Sequence, residues 1–222
     1  MATADRNRAA SSPPVALASV DTPRRRIQAA ATELFVTQGY RGTSVKDITR
    51  ACDLTPGALY NHFPSKESLL HAIILETHIE LDAQLARALV DVGDAAEERL
   101  FALVHAFALF HHRHRREALV ANLEYVELTG EDRAEIVGRR RHHRQQFESV
   151  LTDGVADGAF VLPHGDGVND IKLATTAIVN MAIRLSEVHG PDTHMEDDAL
   201  ASFHAELALR MVEGDNARRK RA

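Results

Sequence analysis

Cysteine is nearly missing from this chain. One residue, Cys52, stands among 222, so no intrachain disulfide can form and a zinc site built on several thiolates is excluded. A lone thiol points to a reducing, cytoplasmic compartment. Tryptophan is absent and aromatic residues make up 5%, which leaves a largely aliphatic core. No apolar run approaches the roughly 20 residues that span a bilayer, so no membrane partner is expected. Residues 1–22 lack the continuous apolar segment of a secretory signal. No Gly-rich phosphate loop and no nucleophile–base motif can be recognised, so neither an enzyme nor a bound cofactor is expected. The 13 histidines include His111-His112-Arg113-His114 and His142-His143. Neighbours on a helix do not face one another, and no metal site is expected.

What is present is ordinary for a globular protein: 45% hydrophobic and 26% charged residues. The length permits one large core or two modest domains. A formal net charge of −6 argues, at first, against a polyanionic partner. Its distribution reverses that reading. Residues 1–66 carry nine Lys and Arg against five Asp and Glu, a net of +4, which leaves −10 on the rest. A small basic head followed by a large acidic part suits a polyanion-binding unit on a separate body.

Residues 1–22, rich in Ala, Ser and Pro, read as a disordered arm. From Pro23 the spacing of Ile27, Ala30, Ala31, Leu34 and Phe35 predicts a helix with Gly39 as its stop. Ser44 with Asp47 predicts a second start, and Thr55-Pro56 a third: a hydroxyl cap followed by Pro at the first helical position. Ser65 caps a long helix to about Val92, and Asp94 opens the next, which carries Leu100, Leu103, Val104, Phe107 and Phe110. Further helices are expected over 115–127, 131–157 and from Ile171 to a stop at His189-Gly190-Pro191. Thr193 and Glu196 form a capping box for a last helix, before a basic tail over 214–222. No strand is expected. The fold class is all-α.

The stretch from Arg41 to Lys66 carries the most information. Two short helices flank the tight connection Cys52-Asp53-Leu54, with Val45, Ile48, Leu54, Leu59 and Phe63 closing one small core. This is a helix-turn-helix, whose second helix enters the major groove of duplex DNA. That helix, expected over Thr55 to His62, presents the small residues Thr55, Pro56, Gly57 and Ala58 first, allowing close approach to base edges. Tyr60, Asn61 and His62 follow as hydrogen-bonding groups.

The pattern Phe35-x3-Gly39-Tyr40-x-Gly42-Thr43-Ser44-Val45-x2-Ile48-x2-Ala51, then Gly57-x-Leu59-Tyr60-x-His62-Phe63-x-Ser65-Lys66-Glu67, resembles the DNA-binding signature of the tetracycline-repressor (TetR) family of bacterial transcription regulators. The resemblance covers about 45 residues. It implies a three-helix DNA-binding domain over 23–66 and a helical domain over 67–213 that binds an inducer and dimerises. It further implies phosphate contacts from Tyr60, His62 and Lys66, anchoring by Thr43 or Ser44, and base contacts from Thr55, Pro56, Gly57 and Ala58. Pro56 departs from the polar or basic residue common there, so readout at this point must be apolar or by shape. Arg24, within Arg24-Arg25-Arg26, is placed along phosphates or the minor groove.

In the body, several helical stripes mix apolar and polar residues: Ile136, Arg140, His143, Phe147 and Val150 on one; Leu173, Ala177, Asn180 and Arg184 on another. His105 and Asn122 sit among apolar neighbours, and Arg144 lies one turn from Arg140. Buried polar groups need partners, so these residues either reach solvent or line a cavity suited to an amphipathic anion. His105, Asn122, Arg140, His143, Arg144, Phe147, Asn180 and Arg184 are therefore the candidate ligand residues. The stretch 154–160 and the recognition helix are similar to family regulators that respond to acyl-CoA thioesters. Ile178, Met181 and Leu185, with Leu200, Phe203, Leu207 and Met211, are expected to pair two copies across a four-helix interface. The expected protein is a homodimeric repressor of a palindromic operator, released by a small-molecule effector. A hydrophobic drug-like ligand, or a DNA-binding dimer without an inducer, are the alternatives.

Overall fold

Thr22 opens the first helix. Its side chain accepts the Arg25 amide, and Pro23 takes the first helical position, where its missing N–H costs nothing. The computed structural model describes residues 22–90, 92–164, 167–187 and 196–212. Among them run α1 (Pro23–Gly42), α2 (Val45–Ala51), α3 (Pro56–Tyr60), α4 (Lys66–Ala88), α5 (Ala96–Arg113), α6 (Arg115–Leu123), α7 (Gly130–Ala156), α8 (Val168–Glu187) and α9 (Asp197–Val212). A 3₁₀ turn, Glu124–Glu127, sits between α6 and α7. The fold is all-α. Residues 1–21, the stop at 189–191, Thr193 and the tail 214–222 lie outside the described residues.

The predicted caps at the head are present. Gly39 breaks α1 with φ +74°, a conformation glycine adopts without the usual steric cost. Ser44 and Asp47 form the reciprocal capping box, and Thr55 caps α3 ahead of Pro56. Ser65 and Ser68 cap α4 reciprocally. Three boundaries differ from expectation. Helix α3 stops at Tyr60 rather than His62, and α4 at Ala88 rather than Val92. Helix α5 begins after Ala95 without a side-chain cap, so Asp94 does not start it.

Two hydrophobic cores organise the chain. One gathers Ile27, Ala31 and Phe35 of α1, Ile48 of α2, Leu59 of α3 and Phe63 with Leu69, Leu70, Ile73 and Ile74 of α4. Val120, Ala121, Leu128 and Ile136 from beyond the head belong to the same core. The other takes Leu81 and Leu85 of α4 with α5, α7, α8 and α9. Helix α4 therefore enters both cores, and the head is packed onto the body rather than tethered to it. Each fully buried Leu, Ile or Phe contributes roughly 1.5–3 kcal/mol, so this shared packing makes head orientation depend on the body.

Candidate functional site

The turn between α2 and α3 is made by Asp53 at φ +54°, and the Leu54 amide donates to the Thr49 carbonyl at 2.8 Å. Asp tolerates this left-handed conformation better than most residues. With Leu59 and Phe63 buried, the opposite side of α3 faces outward. Thr55, Pro56 and Gly57 are exposed, Ala58 is half-buried, and Tyr60 keeps 52% of its surface in solvent. Asn61 and His62 are also exposed. Ser44 is exposed, and its hydroxyl hydrogen-bonds Asp47 at 2.5 Å; these hydrogen bonds hold the Asp47 carboxyl below its usual pKa. The Arg24 guanidinium lies 4.4 Å over the Phe63 ring and donates to the His62 carbonyl at 3.4 Å.

Two expected DNA contacts, the anchoring residue Thr43 and the phosphate contact Lys66, are committed within the protein. Thr43 is 1% exposed, and its hydroxyl donates to the Gly39 carbonyl at 2.9 Å and the Leu34 carbonyl at 3.3 Å. It seals the broken end of α1 and cannot reach a phosphate from there. Lys66 donates to the Tyr40 carbonyl at 2.9 Å and the Thr43 carbonyl at 2.8 Å, with its ammonium 4.0 Å from the Tyr40 ring centroid. It clamps the start of α4 to the α1–α2 turn. Burial is the main influence lowering its pKa.

A small cavity of about 40 Å³ lies in the body. Its walls are apolar: Leu81, Phe107, Phe110, Ala118, Ala121, Val179 and Ile183. Thr77, His78, His111, Asn122, Arg140, His143 and Arg144 complete the lining. His143 faces Asp82 at 2.5 Å, and Arg139 donates to the other oxygen of that carboxylate at 2.8 Å. A carboxylate only accepts, so His143 Nε2 carries the proton. Arg140 donates to Asn122 Oδ1 at 3.0 Å and lies 4.4 Å over the Tyr125 ring; Arg144 donates to Thr176 Oγ1 at 3.0 Å. Among the described residues no carboxylate pairs with Arg140 or Arg144. Burial lowers the pKa of Arg140, yet a guanidinium does not lose its proton in a protein. Burial also lowers His78 to about 3 and His111 to about 4, so both imidazoles are neutral at physiological pH.

Behind the cavity, the 3₁₀ turn joins it to the head. Glu124 accepts the Tyr40 amide at 3.1 Å, and Glu127 accepts Arg41 Nε at 2.8 Å. Just beyond, Thr129 donates from its amide and its hydroxyl to Glu67 at 2.7 and 2.8 Å.

Residues 93–212 match the family model described as "Tetracyclin repressor-like, C-terminal domain", and residues 27–73 match "Bacterial regulatory proteins, tetR family". The chain belongs to the TetR family. It is a helix-turn-helix transcription regulator. A solved tetR-family regulatory protein from Rhodococcus RHA1 is 35% identical, with a TM-score of 0.76 over 86% of this chain and 96% of that one. The structure of AibR in complex with isovaleryl coenzyme A and operator DNA is 27% identical, with a TM-score of 0.71 over 83% and 96%. The transcriptional repressor KstR2 of Mycolicibacterium smegmatis is 30% identical over 60% of this chain and 65% of its own. The chain thus spans about two thirds of that repressor's length, and 27% of the regulator UidR of Escherichia coli.

The TetR-family body assigns the remaining expected residues differently from the sequence reading. Asn122, Arg140, His143 and Arg144 do meet at the cavity. Phe147 is buried behind it, edge-on to Phe107 with centroids 5.4 Å apart. His105 faces Asp198 at 3.1 Å, on the side of α5 that meets α9. Asn180 is exposed, and Arg184 is exposed and paired with Glu187. These three do not line the cavity: His105 lies on the side of α5 that meets α9, and α8 turns its other stripe inward. For the same reason Ile178 of α8 is fully buried and Met181 and Leu185 pack on the core, while Leu200 of α9 is buried as well. Ile178 and Leu200 are not free to meet a partner, whereas Met181 and Leu185 are half-buried. Phe203 and Met211 are exposed and Leu207 is half-buried, as an interface residue requires.

Sequence reasoning missed His78, Thr77, His111 and Tyr125. His78 carried a signal: it interrupts the apolar stripe Ile74, Leu81, Leu85 of α4 at helical spacing. Tyr125 carried none, since its role arises from a contact across the fold.

No helix of the described residues is long and apolar enough to cross a membrane. No group of three or more His, Cys, Asp and Glu among them could hold a metal ion.

Proposed function

We propose that this TetR-family regulator is a homodimeric repressor of a palindromic operator, released when an amphipathic anion enters the cavity. One observation carries the ligand class. Two guanidiniums, Arg140 and Arg144, meet a cavity whose other polar groups are neutral hydroxyl, amide and imidazole side chains, with no carboxylate opposite either. An uncompensated charge in such a place is costly, and a carboxylate or phosphate of the ligand supplies the missing bidentate partner. Coenzyme A thioesters are one source of that chemistry, and the similarity to AibR, solved with isovaleryl coenzyme A and operator DNA, supports them. The cavity, about 40 Å³ as it stands, widens to take an acyl chain or a ring system, with the nucleotide of a thioester outside.

The exposed face of α3 is the reading surface for DNA, with Thr55, Pro56, Gly57 and Ala58 nearest the bases and Tyr60 and His62 toward the backbone. Dimer formation uses the outward stripes of α8 and α9: Leu173, which is 64% exposed, with Ala177, Phe203 at 50% exposed, Leu207 and Met211. Exposed apolar side chains on two helices suit a two-fold interface.

A thermal-shift and operator-release assay tests the reading with dodecanoate, dodecanoyl-CoA and dodecanol, on an operator obtained by selection from random duplexes. The acid or the thioester raises Tm and releases DNA, whereas dodecanol does neither; Arg140→Gln with Arg144→Gln abolishes both responses. Equal action by dodecanol overturns the anionic ligand. Stabilisation by the acid and by no thioester removes coenzyme A as the source. Phe203→Glu yields monomers with weak operator binding, and a dimer surviving that change removes the proposed interface.

A further inference from the structure

His78 is the least explained residue of the molecule. It lies on α4, lines the cavity and keeps only 4% of its surface exposed. Neither Nδ1 nor Nε2 has a hydrogen-bond partner among the described residues. The groups around it are committed elsewhere. His143, at a ring-centroid distance of 5.3 Å, serves Asp82; the Thr77 hydroxyl donates to the Ile73 carbonyl at 2.7 Å; His111 Nδ1 meets the Phe107 carbonyl at 2.8 Å. A neutral imidazole offers one N–H donor and one bare nitrogen acceptor. Leaving both buried and unmade is a substantial penalty, whereas an apolar ring of the same shape would carry none.

We propose that His78 is a specificity residue, which reads a hydroxyl or carbonyl oxygen on the apolar body of the ligand. The proposal rests on the anionic-ligand reading above and narrows it: the effector carries two polar features, an anionic head for Arg140 and Arg144 and a separate oxygen for His78. A hydroxyl suits the site best, because it alone both donates and accepts and so satisfies either nitrogen. The unpartnered Nδ2 of Asn122, on the amide whose oxygen accepts the Arg140 hydrogen bond, is a donor for the head. The placement of His78 also matters for regulation. It sits one turn beyond Ile74, which belongs to the head core, so an oxygen captured by His78 pulls on the helix that supports the DNA-reading surface.

The test compares dodecanoate with the positional series of its monohydroxy derivatives by calorimetry. On the native protein at least one isomer binds about tenfold or more tighter than dodecanoate, the scale expected when a buried polar group gains its partner. His78→Phe reduces that preference to within about threefold, binds dodecanoate at least as well, and does not lower Tm. His78→Gln, which keeps a donor and an acceptor, retains part of the preference and serves if the Phe variant does not fold. Acids that bind with no isomer preferred, or a preference that survives His78→Phe, overturn the role of His78 and leave the anionic site standing. Acids that bind no better than dodecanol overturn the underlying reading instead. A structural role alone would lower Tm in both variants without changing the isomer preference.

Discussion

Arg140 holds its guanidinium 4.4 Å over the ring of Tyr125, and Tyr125 sits in the 3₁₀ turn between Glu124 and Glu127, which grip Tyr40 and Arg41 of the head. One cation therefore belongs both to the cavity lining and to the segment that touches the DNA-reading domain. A ligand anion that draws Arg140 toward itself weakens its contact with Tyr125, worth about 2 kcal/mol when desolvated. That loosens the turn beneath the end of α1.

Tyr125→Leu should therefore separate binding from release. Anion affinity is expected to hold or rise, operator affinity without ligand to stay within about threefold, and the ligand-induced loss of operator affinity to shrink by about tenfold, within the usual coupling of roughly 1–3 kcal/mol. Fluorescence anisotropy of labelled operator with and without saturating dodecanoate measures it. Undiminished release would place the coupling outside this turn.

Lys66 and Lys46 make opposite predictions at the head. Lys66 spends its charge on the Tyr40 and Thr43 carbonyls, so Lys66→Met lowers Tm by several degrees and leaves the salt dependence of operator binding unchanged. Lys46, exposed on the first turn of α2, is free to displace counterions from a phosphate. Lys46→Gln is expected to reduce the slope of log K against log salt by about one. Titrations at several salt concentrations distinguish the two.

Two of the three glycines of α7 carry opposite expectations. A Cβ on Gly154 would lie 2.1 Å from Phe160 Cδ2 and 2.9 Å from the Ala96 Cβ, whereas a Cβ on Gly138 meets nothing within 4 Å. Gly154→Ala destabilises by roughly 1–3 kcal/mol through overpacking, and Gly138→Ala stabilises by about 0.5–1 kcal/mol through helix propensity. Denaturant unfolding of both variants measures them. A neutral Gly154→Ala would mean that Phe160 can move aside.

Acid should destabilise the body through its buried histidines. His78 is lowered to about 3 and His111 to about 4, against an unfolded value near 6.5. Below pH ~6.5 the unfolded chain binds protons that the folded one refuses, so stability present above that pH is lost as pH falls toward 4 and 3. The slope approaches about 1.4 kcal/mol per pH unit for each group. His78→Phe is expected to flatten the profile of Tm between pH 6.5 and 4, and an unchanged profile would show that folded His78 takes up its proton as readily as the unfolded chain.

Much of the head was legible because local physics dictates it. Ser44 with Asp47, Thr55 with Pro56 and Ser65 act over three or four residues, and Gly39 breaks its helix through its own backbone freedom. Lys66 was not legible. Its charge and place at a helix start suit a phosphate contact, and only the two carbonyls brought to it from 26 and 23 residues away in sequence commit it to scaffolding.

In the body the division falls between pattern and facing. The sequence determined that the chain is all-α, that a basic helix-turn-helix precedes an acidic body, and that Asn122, Arg140, His143 and Arg144 interrupt apolar helical stripes. It could not say which stripe of α8 turns inward. Ile178 with Ala182 and Leu173 with Ala177 are both apolar rows on one helix, and hydrophobic periodicity ranks neither above the other. Packing against α5, α7 and α9 buried the first row and left Leu173, Ala177, Asn180 and Arg184 outside. The partners of each cation were likewise decided by contacts between distant segments, which spacing along the chain does not encode.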